Sequence, residues 1–266
     1  MTIDRQRLET ALSTIHTDKD GYFRSGRFVD LDANVDVKSV LDTSNELFRK
    51  LHRYLRLIVR GIWTLETIAL RLAWQKDLWA QNQLGDSAWM DFAKCDVDLF
   101  HVEYRSIFDY LSKTIRTVSN SPAEISDKSF ATLRRWLSRS RENAEKLGGD
   151  LARLVLSCEW FDDIKEIRES IVHRGGFSIV FLERGRILFQ VFEGMNRKIL
   201  IPEIMFNENV VDFELYAGLY MGYLLAYLEE ASDLILNRLG LDPIGNLNAK
   251  SYHSGLRVIR EWISQI

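Results

Sequence analysis

Residues 39–83, SVLDTSNELFRKLHRYLRLIVRGIWTLETIALRLAWQKDLWAQNQ, decide the fold class. Leu47, Leu51, Tyr54, Leu55, Ile58, Ile62, Leu65, Ile68 and Leu72 recur at steps of three and four residues, the period of one helix face. Gly61 marks a place where such a helix could bend. Gly85 and Asp86 punctuate. A second helical run follows from Ser87 to about Ser119, carrying Phe92, Leu99, Tyr104, Ile107, Phe108, Leu111 and Ile115.

Outward from this pair, residues from about Asp4 to Ile15 suggest a short helix, and His16 to about Ser39 is polar and loop-like. Ser121-Pro122 makes a turn. Ser129 to about Leu147 reads as a basic helix ended by Gly148-Gly149. Asp150 caps a further helix or helix pair that runs to His173. The period then changes. Phe177 to Leu182 and Ile187 to Phe192 are β-branched and aromatic-rich, and Glu183-Arg184-Gly185-Arg186 joins them, which signals a β-hairpin. Asn209 is the expected cap of the next helix, with Asp212 and Glu214 in its first turn. That helix runs to about Leu239, where Gly240 and then Pro243 stop it. A last short helix covers Leu256 to Ile263. The expected fold is all-α, a helical bundle with a β-hairpin insertion. Residues 1–38 read as an N-terminal extension with a short helix and a polar loop, and residues 39–266 as the main helical domain.

Three prolines and 15 glycines in 266 residues are too few for a many-turned β-sandwich or a disordered chain. A formal charge of −3 removes the broad basic field of a non-specific nucleic-acid binder, so any RNA or DNA site must be a local patch. Cys95 and Cys158 lack metal spacing, which points to a reducing cytoplasm rather than a disulfide scaffold. Asp4, Arg5 and Arg7 interrupt any signal peptide. The most apolar run, Tyr216 to Leu228, is too short to span a bilayer. The expectation is therefore a cytoplasmic protein without a membrane partner. No P-loop, dinucleotide fingerprint, paired-cysteine zinc site or nucleophile elbow is present in the sequence, so no cofactor and no metal are expected.

The candidate site lies in Ile167-Arg168-Glu169-Ser170-Ile171-Val172-His173-Arg174-Gly175-Gly176, which reads as the end of an amphipathic helix stopped by a glycine pair. At about 100° per residue, Ile164, Ile167 and Ile171 share one face, Arg168 sits at its border, and Glu169 and His173 fall on the polar side. An arginine holds a phosphate through two parallel hydrogen bonds. A histidine in a last helical turn, favoured as imidazolium by the helix dipole, can move a proton near neutral pH. Together they equip a site for metal-free phosphodiester chemistry. The competing reading makes His173 a helix cap and pairs Arg168 with Asp163 or Glu169.

Arg168-x4-His173, and the phrase Ile-Arg-Glu-Ser-Ile-Val-His-Arg-Gly around it, resemble the HEPN superfamily. Its hallmark is an Arg, four to six residues, then His near the end of a helix in an all-helical fold. The hairpin 177–192 and the helix 209–239 are similar to the insertion and long helix that follow the motif in several branches. The resemblance covers about residues 40–240. It implies a metal-independent endoribonuclease in which Arg168 and His173 are catalytic, with two motifs facing one cleft of a homodimer, and RNA or a nucleotide as ligand. Glu169, Glu103, Asp109 and Arg174 would be supporting residues. Glu169 departs from the Asn, Asp or His common after the motif arginine in active members. Toxin–antitoxin or defence biology, with an antitoxin as protein partner, is what the family implies. The alternative is a non-catalytic module that binds a nucleotide or a partner protein, and a plain oligomeric scaffold is a third reading.

Five other features are candidates. Asp98, His101, Arg105 and Asp109, with Glu103 nearby, form a polar stripe that could supply acidic partners to Arg168 or be a solvated face. Asp30, Asp32, Asn34 and Asp36 alternate like calcium ligands, but Val35 and Leu41 stand where glycine and glutamate are needed. Arg134, Arg135, Arg139 and Arg141 with Trp136 could touch a phosphate backbone or form an ordinary basic face. Gly218, Gly222 and Ala226 permit close helix contact inside the bundle or across a dimer. Trp63, Trp74, Trp79 and Trp89 read as core and interface rather than as a stacking platform.

Overall fold

The structure is a computed structural model that describes residues 4–15, 22–23, 26–125, 128–173, 179–190, 202–207, 210–242, 249–250 and 254–266. In chain order its elements are α1 (Arg5–Thr14), β1 (Tyr22–Phe23), α2 (Arg27–Leu41), α3 (Glu46–Ala80), α4 (Asp86–Thr117), α5 (Phe130–Leu137), α6 (Arg141–Leu147), α7 (Gly149–Ser157) and α8 (Phe161–His173). There follow β2 (Val180–Glu183), β3 (Arg186–Gln190), β4 (Met205–Asn207), β5 (Val210–Asp212), α9 (Phe213–Leu239), β6 (Ala249–Lys250) and α10 (Ser254–Ile263). The protein is all-α with a small antiparallel sheet inserted after α8, as the period change anticipates.

The scaffold is the antiparallel hairpin of α3 and α4. Asn45 caps α3 by accepting from the Phe48 amide at 3.4 Å. Leu51, Leu55, Ile58, Ile62, Leu65, Ile68 and Leu72 are all buried. The helix then runs 35 residues, about 52 Å. It is continuous through Gly61, so that glycine serves packing rather than a break: a methyl there would meet Ile107 Cγ1 at 2.5 Å. Further along, Arg71 and Gln75 converge on buried Asp96, and the Trp79 and Trp89 rings lie 4.7 Å apart. These contacts pin the register of the two helices. Phe92 and Leu99 repeat at the apolar spacing of α4 yet face outward, 51% and 38% exposed.

The second organising element is α9. Tyr216, Leu219, Tyr220, Met221, Leu224 and Leu228 are buried around much of its circumference, as expected of a helix enclosed by others. α1, α2 and α10 pack on it. A methyl on Gly218 would meet Trp262 Cβ at 2.9 Å, and Gly222 faces Leu8 and Ile263. The small-residue seam is thus occupied inside the bundle and is not available as a dimer contact.

Several sequence expectations need correction. Residues 27–41 are helical, not loop-like, because Leu31 and Val35 supply a buried stripe one turn apart. The Asp30–Asp36 alternation therefore spreads around a helix and does not converge like a calcium loop. The basic helix expected over 129–147 is two helices, each capped by its own serine: Ser129 accepts from the Thr132 amide and Ser140 from the Asn143 amide. The helix or helix pair expected from Asp150 is α7 and α8, but the cap position of α7 is Gly148 and Asp150 lies in its first turn. The cap of α9 is Asp212, whose Oδ1 accepts from the Glu214 and Leu215 amides at 3.1 and 3.3 Å. Asn209, Pro243 and the hairpin ends 177–178 and 191–192 lie outside the described residues.

The hairpin itself is present, Val180 opposite Phe189 and Glu183 opposite Arg186. It belongs to a four-stranded sheet of order β2-β3-β5-β4, because β5 pairs with β3 (Phe189 opposite Val211) and with β4. Val180, Ile187, Phe189 and Val211 point into the common core.

Candidate functional site around the end of α8

α8 is set by its apolar stripe. Phe161, Ile164 and Ile167 are buried, and Phe161 packs on Phe108 of α4 with ring centroids 5.2 Å apart. Trp160 and Asp163 meet Tyr223 and Tyr220 of α9, so α8 runs antiparallel to both α4 and α9. Arg168 therefore lies about 10 Å beyond Phe161, toward the His101 end of α4. It is half-buried, at the border position that the helical wheel assigns it. His173 is the last residue of α8. Its side chain, Arg174, and the glycine pair Gly175-Gly176 lie outside the described residues.

Other charged residues of α8 have partners of their own. Glu169 is half-buried, 3.9 Å from Lys165 one turn earlier. Asp163 is buried and accepts from Tyr220 Oη at 3.0 Å. Asp162 accepts from Arg134 at 2.8 Å, tying α8 to α5. Arg134, Arg135, Ser138, Asp162 and Lys165 line a cleft of 260 Å³ between these helices, so part of the basic patch of α5 shares a groove with α8.

The two acidic candidates on α4 sit elsewhere. Glu103 faces α3, with Oε1 beside Gly61 and Arg60 nearby; burial raises its pKa and Arg60 opposes the shift. Asp109 accepts from the Phe130 amide at 3.0 Å and thereby anchors the start of α5. Arg105, with a side chain 11% exposed, lies 3.7 Å from Asp109 and over the Phe161 ring. With His101 turned to α9, the polar stripe of α4 is divided among four neighbouring helices.

His101 of that stripe is fully buried. Its Nδ1 lies 2.7 Å from the Val97 carbonyl and its Nε2 3.1 Å from Tyr216 Oη. Burial pushes its pKa down to about 4, so the ring is neutral and one nitrogen donates while the other accepts. The tilted rings of Tyr216 and Tyr220 lie 4.3 Å apart, Tyr220 reaches Asp163, and Tyr104 donates to the Tyr220 carbonyl at 2.6 Å. Burial raises the pKa of Tyr104, Tyr216 and Tyr220 well above the usual phenol value, keeping all three protonated. Sequence reasoning missed this chain, although Tyr216 and Tyr220 at a four-residue step on an apolar helix were a signal, since a buried phenol needs a partner.

Among the described residues no group of three or more His, Cys, Asp or Glu side chains is placed to hold a metal ion. Cys95 is an exposed free thiol and Cys158 a buried one whose pKa burial raises. No described helix is long and apolar enough to cross a membrane. Comparison with family models, with curated proteins and with solved structures returned no match.

Proposed function

We propose that the protein is a metal-independent endoribonuclease of HEPN type, with Arg168 and His173 as its catalytic pair. The observation that carries this reading is that both residues fall in the last two turns of one helix, α8, which a small sheet and the long α9 follow. In the reaction the 2′-hydroxyl oxygen of a ribose bonds to the adjacent phosphorus. The bond from phosphorus to the 5′ oxygen breaks, leaving a 2′,3′-cyclic phosphate and a 5′-hydroxyl. Arg168 holds the charge of the phosphorane. His173 exchanges the proton and supplies it to the leaving oxygen. Because one arginine and one histidine are few donors for a phosphorane, two copies of the motif share a cleft across a homodimer. The unpaired Cys95 and Cys158 support a cytoplasmic setting, and the resemblance adds an antitoxin or other protein partner.

The test is cleavage of single-stranded RNA in EDTA by wild type, Arg168→Ala and His173→Ala, with circular dichroism as the folding control. Loss of His173 should slow cleavage about 10²–10⁴-fold. Full activity in His173→Ala would overturn the site. The second reading, a non-catalytic module for a nucleotide or a protein, is favoured by the Lys165–Glu169 pair at 3.9 Å, which gives the position after the motif arginine a structural use. It gains if wild type leaves a broad RNA panel intact.

A further inference from the structure

The outward face of α3 carries chemistry that the α8 site does not use. Arg49, Arg53, Arg56, Arg60, Trp63, Thr67, Arg71 and Trp74 follow one another at steps of three and four. On a helix they fall within an arc of about 80° and extend over about 37 Å. All eight are exposed, Trp63 at 51% and Trp74 at 60%. A solvated helix face in a chain with 38 acidic and 35 basic residues should alternate signs. This one has five arginines and no carboxylate along its length.

Carboxylates flank the stripe, Glu46 beside Arg49 among them, but none stands on it. Arg56 lies 3.3 Å from Asp36 and 3.9 Å from Asp32 of α2, and Arg71 pairs with buried Asp96 of α4. Glu103 stands near Arg60 with its carboxyl turned to the α3–α4 seam, beside Gly61. Midway along the stripe is a groove of 360 Å³, with Arg60 and Arg71 toward its two ends and Trp63, Thr67 and Leu99 along it. The hydroxyls there are committed: Thr64 donates to the Arg60 carbonyl and Thr67 to the Trp63 carbonyl. What the stripe offers is guanidinium for phosphate and indole for a base face, with little that could read a base edge or a sugar.

We propose that this face of α3 binds a single-stranded nucleic acid lengthwise, its phosphates on the arginines and unpaired bases against Trp63 and Trp74. Alternating cationic and aromatic contacts are the chemistry of strand-tracking surfaces. Unpaired bases are required because a duplex hides the base faces that indoles stack on. The charge of the whole chain demands a local patch, and this stripe supplies one. The inference stands on α3 alone, whether or not Arg168 and His173 cut anything.

The test is fluorescence anisotropy with a labelled 20-nucleotide 2′-O-methyl RNA, which cannot undergo 2′-hydroxyl attack and so separates binding from cleavage. Wild type is compared with Arg49→Ala/Arg53→Ala/Arg60→Ala, which leaves the Asp36 and Asp96 pairs intact, and with Trp74→Ala. The triple variant should weaken binding and lower the slope of log K against log salt by about 2, at about 0.7 per lost phosphate contact. Trp74→Ala should weaken binding about 5-fold or more. A blunt duplex of equal length should compete poorly. Unchanged affinity and salt slope in the triple variant would overturn the proposal. Equal competition by duplex, or an unaffected Trp74→Ala, would overturn base stacking. A wild-type dimer by light scattering that the triple variant turns into a monomer would instead make the stripe an interface between copies of the chain.

Discussion

Tyr220 of α9 donates its hydroxyl to Asp163 of α8 at 3.0 Å, and both side chains are buried. Because Asp163 lies five positions before Arg168, this bond helps fix the azimuth of the helix that carries the candidate site. Tyr220→Phe removes one donor from a buried carboxylate and leaves the ring packing unchanged. The expected cost is about 1–3 kcal/mol in urea unfolding. Asp163→Asn in the Tyr220→Phe background should recover part of it, since a neutral amide is cheaper to bury than a carboxylate. Additive losses in the double variant would show that the two groups are not coupled.

His101 should make stability fall with acid. Its pKa is about 4 in the folded protein, against about 6.5 in an unfolded chain. Between those values the unfolded state binds a proton that the native state refuses. Stability from this group is therefore fully present above about pH 6.5 and is lost as pH falls toward 4, by up to about 1.4 kcal/mol per pH unit. Urea midpoints at pH 7.5 and 5.0 should differ more in wild type than in His101→Gln. An equal drop in the two proteins would mean that other groups carry the acid sensitivity.

Gly61 and Gly218 test two helix contacts with one substitution. In an open helix Gly→Ala would stabilise by about 1 kcal/mol. At these sites a methyl would meet Ile107 at 2.5 Å and Trp262 at 2.9 Å. Overpacking of this kind costs about 1–3 kcal/mol, so both variants should be less stable than wild type in thermal melts. A more stable Gly218→Ala would mean that α10 does not sit on α9 as described.

Arg168→Lys separates charge from geometry at the proposed site. Lysine keeps the positive charge but cannot present two parallel N–H groups to one phosphate. RNA cleavage should drop by about 10²-fold, with the fold unaltered by circular dichroism. Wild-type turnover in this variant would assign Arg168 a merely electrostatic role.

Where the apolar period was long and regular, the fold was legible. α3, α4 and α9 follow from residues such as Leu51, Leu55 and Ile58, whose burial leaves no other period open. α2 was hidden because Asp30, Asp32 and Asp36 dominate its composition, while its core contribution rests on Leu31 and Val35. Strands β4 and β5 have three residues each, too few for any alternation to register. Asn209 and Asp212 are both good caps, and only the pairing of Val210 and Val211 into the sheet decides between them. At the site, Arg168 has the border position its sequence spacing implies. His101 could not be read, because a histidine in a polar stripe gives no sign that Tyr216 waits on a helix 115 residues away. The α3 stripe escaped for a simpler reason: the inward leucines announce the helix, and the outward arginines are ordinary until their exposure is known.

The enclosure of α9 also sets an order of events in the cell. Glu229 accepts from the Arg27 amide at 2.6 Å, across 202 residues of chain, and α1 lies against the same helix. A ribosome adding about 5–20 residues per second needs about 10–40 s to cover that distance. During that interval Leu8, Ala11, Leu31 and Val35 have emerged and their surface on α9 has not. The first two helices are thus synthesised early and seated late, their contacts with α9 being among the last to form.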